Sequence, residues 1–149
     1  HTGIRGLPMI ELRPFKIEDA EQVCSESIDD TAIKQMPVWK NNEKLITESG
    51  IAQSGYLDNQ LVFVAGMIFT KNGQAELWAI FSKKLIMHKK TLLRSLRTVL
   101  FDFVIPANNI KRVTVLSRKG FSQSQTLLKH LGFNKCDVIQ DYYLYERLI

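Results

Sequence analysis

Apolar and polar residues alternate in Ile10-Glu11-Leu12-Arg13 and stop at Pro14, which predicts a short first strand ended by a residue that cannot donate to a ladder. The acidic residues Glu18, Asp19 and Glu21 then precede Val23, Ile28 and Ile33, which predicts one or two helices with negative charge in the first turn. A second short helix is expected from Asn41 or Asn42 to Ser49, capped by an asparagine and closed by Gly50. Residues 51–57, the turn pair Asp58-Asn59 and the β-branched and aromatic run 61–69 read as a hairpin. Asn72-Gly73 is the strongest short-range hairpin dipeptide, and residues 75–81 supply a third antiparallel strand.

From Ser82 the period changes. Apolar residues recur every three to four positions through Leu92, Leu96, Leu100 and Phe103, which predicts a long amphipathic helix ended by Pro106 and Asn108-Asn109. Residues 110–116, with Val113 and Val115 on one face, make a further strand. A helix over 122–131 follows, capped by Ser122 and stopped by Gly132, and residues 137–149 have strand composition. The order is β-α-α-β-β-β-α-β-α-β, with the last strand open to being split. This predicts an α+β (mixed α/β) domain whose mixed, mostly antiparallel sheet is flanked by helices, the two βα units of the second half making its parallel part.

With 149 residues, 45% of them hydrophobic, the chain builds one core, so a single domain over 9–149 is expected, preceded by a disordered or appended leader, 1–8. The longest apolar run, 61–69, falls short of the roughly 20 residues that span a bilayer, so no membrane association is expected. The two cysteines, Cys24 and Cys136, stand far apart without a CxxC or Cys/His cluster, which argues against zinc or a disulfide framework and for a reducing, cytoplasmic setting. His88 and His130 lack acidic or thiol partners at ligand spacing, so no metal site is expected. No Ser-His-Asp order or Gly-x-Ser-x-Gly elbow is present. Residues 1–70 carry six Lys/Arg against ten Asp/Glu, net −4, while 71–149 carry fourteen against five, net +9. Such a basic C-terminal part suits an anionic partner.

Three stretches then carry a likeness: Arg112-Val113-Thr114-Val115-Leu116, the helix Ser124 to Leu131 running into Gly132-Phe133, and Tyr142-Tyr143-Leu144-Tyr145-Glu146-Arg147. With Ile10-Glu11-Leu12-Arg13-Pro14-Phe15 at the other end, they resemble the GNAT superfamily of acyl-CoA-dependent N-acyltransferases over most of 9–149. The resemblance implies a GNAT-like fold, acetyl-CoA as cofactor, and an amine-bearing small molecule or protein as acceptor. It places acetyl-CoA beside Ala79, Ile80 and Phe81, with its phosphates near Lys84, Met87, His88, Lys89 and Lys90, and with Ser124 at the start of the last helix. Glu76 and Tyr143 are the candidate catalytic residues, the first as general base.

The chain departs from the superfamily's pattern at two points. The pyrophosphate loop Gln/Arg-x-x-Gly-x-Gly/Ala falls on Lys84 to Lys89, so Lys84 replaces Gln/Arg while Met87 and Lys89 replace the glycines that let backbone approach phosphate. The Asn and Tyr that many members place at the start and middle of the last helix fall on Phe121 and Leu128, neither of which can donate a proton. The run Glu76-Leu77-Trp78-Ala79-Ile80-Phe81-Ser82, leading into Leu85-Ile86-Met87-His88-Lys89-Lys90, also resembles GNAT-related proteins of T7-like bacteriophages, which implies a virion or assembly role. Three functions therefore stand side by side: an N-acetyltransferase with an altered loop, a non-catalytic GNAT-like module for a protein partner, and nucleic-acid binding through Lys83, Lys84, Lys90, Arg94 and Arg97. The last has no recognised motif behind it.

Overall fold

The computed structural model describes residues 10–29, 31 and 40–149; the leader 1–8, Met9 and Ile33 lie outside them. The strands are β1 (Ile10–Pro14), β2 (Gly50–Leu57), β3 (Gln60–Phe69), β4 (Gln74–Phe81), β5 (Arg112–Arg118), β6 (Asn134–Ile139) and β7 (Tyr142–Leu148). Helices α1 (Ile17–Ser25) and α2 (Glu43–Glu48) lie between β1 and β2. After β4 a single helical run begins as a 3₁₀ turn (Lys83–His88), continues as α3 (Lys89–Arg97), widens to a π-helix (Thr98–Val104) and closes with an α-turn (Ile105–Ala107). Helix α4 (Ser122–His130) joins β5 to β6. Among the described residues no helix is long and apolar enough to cross a membrane.

The seven strands form one sheet in the order β1-β2-β3-β4-β5-β7-β6, the expected mixed, mostly antiparallel sheet with the last strand split in two. Both predicted hairpin turns have the required left-handed backbone: φ is 51° at Asp58 and 62° at Asn59, then 61° at Asn72 and 74° at Gly73. Alternation along the strands separates two apolar layers. Met67, Val113, Val115 and Tyr145 pack with Leu92, Leu96, Leu100, Leu128 and Leu131 of the long helix and α4, while Val64 and Ile80 pack with Ala20, Val23 and Cys24 of α1.

Several boundaries differ from the sequence reading. Gly50 opens β2 rather than closing α2: a Cβ there would stand 1.8 Å from the Met67 carbonyl oxygen, so strand contact claims the glycine. β5 runs two residues later than expected, because Ile110 is buried ahead of it and its N–H is spent on the Ile105 carbonyl. The N-cap of α4 is Phe121, not Ser122; the chain turns there through a bond from Phe121 N–H to the Arg118 carbonyl. Gly132 ends that helix as expected, with φ +85°. The final strand region begins at Asn134 and folds back at Gln140, φ 53°. That tight turn slots β7 between β5 and β6, antiparallel to both. Among the described residues β4 and β5 are therefore the one parallel pair, where two βα units were expected to contribute.

Candidate functional site

The parallel pairing of β4 with β5 lasts for three residue pairs: Gln74 with Arg112, Ala75 with Val113, and Glu76 with Thr114. Beyond Glu76 the strands part. β4 stays with β3 as far as Phe81, opposite Phe63, and β5 stays with β7 as far as Arg118, opposite Tyr142. The wedge between them is a cleft of about 240 Å³ lined by Glu76 through Phe81 on one side and Val115 through Arg118 on the other. Parallel strands that separate at their carboxyl ends leave backbone and side chains open to a ligand, as at the switch points of α/β sheets.

A groove of about 470 Å³ leads to this cleft from the start of α3, between Lys89, Lys90 and Leu93 on one wall and Ser122 through Ser124 with His130 on the other. Phe81, Phe121, Ser124 and Leu127 line both spaces, so the two form one channel. The channel has an apolar bore and a basic mouth.

The polar groups of the cleft come from four elements. Arg118 at the end of β5 donates to Asp29 at 2.7 and 3.2 Å, tying β5 to the segment after α1. Burial raises the pKa of the Asp29 carboxyl, but the hydrogen bonds from Arg118 and Thr31 together outweigh it and hold the group below the usual carboxylate range. Ser117, fully buried, reaches Ser124 of α4 at 3.0 Å. Tyr142 closes one side. Glu76 is half-buried at the root of the wedge and sits on the opposite face of β4 from its core residues Ala75 and Leu77.

The structure brings together Glu76, Ala79, Ile80, Phe81 and Ser124 in the cleft and Lys89 and Lys90 at the mouth of the groove. The other candidates lie elsewhere. Lys84 pairs with Glu26 at 3.3 Å. Met87 is 85% exposed, and His88 is the N-cap of α3, outside the residues that line the groove. Tyr143 packs beside the main core with Lys135 above its ring at 4.0 Å, and its neighbour Tyr142 faces the cleft instead. Strand alternation makes only one of the two available to the cleft, and which one depends on the register of β7 with β5. The Asp29–Arg118 pair and Phe121 as part of the bore had no signal in the sequence, since their partners lie far away in the chain.

The turn between β4 and α3 decides how an anion could bind. Lys83 N–H donates to the Glu26 carbonyl at 2.7 Å, Leu85 N–H to the Ser82 carbonyl at 3.0 Å, and Lys84 N–H to Ser82 Oγ at 3.2 Å. A phosphate cradle at a helix start needs such amides free. At residues 83–85 they are spent inside the protein. At the mouth of the groove the side chains of Lys89 and Lys90 stand where an anion could meet them. Among the described residues no three His, Cys, Asp or Glu side chains stand together as a metal site.

The sequence matches no protein-family profile and no curated protein. The fold matches many solved structures. The PaiA N-acetyltransferase of Thermoplasma acidophilum, in complex with coenzyme A, superposes with a TM-score of 0.71 at 18% identity, over 94% of this chain and 99% of that one. The ribosomal-protein-S18-alanine N-acetyltransferase of Escherichia coli gives 0.72 at 12% identity, over 95% and 94%. A GNAT-family acetyltransferase of Staphylococcus aureus gives 0.70 at 15%, over 93% and 98%.

Proposed function

We propose, from the premise that this chain has the fold of the GNAT acetyltransferases, that it is an acyl-CoA-dependent N-acyltransferase whose phosphate contacts have moved from backbone amides to side chains. One observation carries the reading: the parting of β4 and β5 after Glu76 opens a cleft that is continuous with a groove ending at Lys89 and Lys90. A bound acyl-CoA supplies a thioester carbonyl for attack by an amine, with the thiol as leaving group. Glu76, at the root of the wedge, accepts the proton the amine sheds, directly or through one water. Phe81, Phe121 and Leu127 keep the bore dry, which strengthens the polar contacts inside it. Tyr142 presents a hydroxyl on the far side, from which a proton can reach the departing sulfur. The acceptor is an amine of a small molecule or a protein.

Isothermal titration with coenzyme A and acetyl-CoA tests the binding half. Lys89→Glu combined with Lys90→Glu should weaken it by about ten-fold or more, given the usual strength of hydrogen bonds to charged groups. Glu76→Gln should leave binding intact and lower turnover of an amine acceptor by about 10²-fold or more, the usual contribution of a general base. Absence of binding at millimolar ligand would remove the proposal. The occupied amides at Lys83, Lys84 and Leu85 favour a second reading in that event, a GNAT-fold module that binds a protein partner without transfer chemistry.

A further inference from the structure

A second cavity, of about 340 Å³, lies between the sheet and the long helical run. Its roof is Ser95 and Leu96 of α3 with Val99, Leu100 and Val104 of the π-helical stretch. Val99 and Val104 are five residues apart, the spacing that a π-turn brings into line, and π-turns inside helices recur at functional sites. Among the described residues only Gln53 and Ser95 bring polar side chains to the lining, so water there would find few of the partners it needs.

Ala65, Leu77 and Leu96 line both this cavity and the β4/β5 cleft, so the two spaces adjoin. Small side chains lie between them on the sheet. Gln53 pairs with Ala65, and Ala65 with Ala79, one row of register running from under the helix to the wedge. The neighbouring rows are bulky: Ile51, Met67 and Leu77 on one side, Phe63 and Phe81 on the other. Two alanines between large side chains make a trough along the sheet. Ligand pockets are mostly apolar spaces of about 300–1,000 Å³ with few polar groups, so an apolar space of this size adjoining the cleft is a place for a ligand.

We infer that the site takes acyl donors longer than acetyl, with a straight chain of about six to ten carbons running from the wedge over Ala79 and Ala65 into the cavity beneath the long helix. This rests on the acyltransferase reading above. The length follows from scale: an apolar cavity of about 150 Å³ accommodates benzene, so 340 Å³ has room for a chain of about ten carbons.

The test is a calorimetric titration of the whole chain with coenzyme A, acetyl-, butyryl-, hexanoyl- and octanoyl-CoA. Affinity should rise from acetyl to octanoyl by up to about four-fold per added methylene. Ser95→Leu and Val99→Phe, both in the roof and outside the cleft lining, each fill the cavity; each should flatten the series while leaving coenzyme A and acetyl-CoA affinities within about two-fold of the parent. Melting curves establish that each variant is folded, and either one alone suffices. Equal affinity for acetyl- and octanoyl-CoA in the parent chain overturns the inference and leaves the acyltransferase reading standing. A chain-length dependence that survives in both folded variants overturns the proposed location. No binding by any member, coenzyme A included, removes both readings together.

Discussion

Replacing Arg118 by alanine removes the cation that ties the open end of β5 to the segment after α1. Asp29, 12% exposed in the parent chain, keeps Thr31 as a donor through both N–H (3.1 Å) and hydroxyl (2.8 Å). Exposed ion pairs contribute about 0–1 kcal/mol, whereas breaking a buried one costs about 3–5 kcal/mol because a charge is stranded. The pair lies between these limits, since Arg118 is 30% exposed and Thr31 still serves the carboxylate; a cost of about 2 kcal/mol follows. With a urea slope of about 2 kcal/mol per molar, the unfolding midpoint should fall by about 1 M. The effect has a defined pH window. Asp29 titrates lower in the folded chain than an ordinary carboxyl, so the pair's contribution is fully present above the unfolded value of about 3.9 and is lost as pH falls through the lower folded value. The gap between parent and Arg118→Ala should therefore be widest near neutrality and close below pH 4. Asp29→Asn combined with Arg118→Ala should cost less than the two single changes added together. A midpoint unchanged at pH 7, or a gap of the same size at pH 7 and pH 3, would refute the assignment of this pair as a brace of the cleft.

Other consequences follow from individual residues. Burial pushes the Cys24 thiol up to about 11, while Cys136 is exposed on β6; a thiol reagent at pH 8 should modify one equivalent quickly at Cys136 and reach Cys24 only on unfolding, as mass spectrometry of the labelled peptides would read. Gly132→Ala forces φ +85° on a residue with a Cβ that would stand 2.9 Å from Arg147 Nη1, and should cost about 1–2 kcal/mol in chemical denaturation. Gly50→Ala sets a Cβ 1.8 Å from the Met67 carbonyl oxygen, a backbone contact that cannot yield; circular dichroism should show loss of the cooperative transition.

The separation of sequence from structure runs along physical lines. Local chemistry set the elements: Asn72-Gly73 can hardly be other than a hairpin turn, the recurrence of Leu92, Leu96 and Leu100 specifies a helix lying on a sheet, and Gly132 ends α4 because a residue is needed there at positive φ. Element order and class follow from these periodicities. Phe121 and Leu128 could be named as departures from the GNAT pattern because that likeness rests on spacing within one helix. What the chain could not disclose depends on register and on contacts between distant segments. Whether Tyr142 or Tyr143 faces the cleft turns on how β7 pairs with β5. Whether the turn before α3 can hold phosphate turns on Lys83 N–H meeting a carbonyl of the α1 segment, 57 residues earlier in the chain at Glu26. Ala65, which lines the space beneath the long helix, and Ala79, which lines the cleft, stand side by side only because β3 and β4 pair in that register. Sequence determined the strands, helices and turns that had to form, since each is decided within a few residues; the site is decided by which of them meet, and only tertiary packing chooses that.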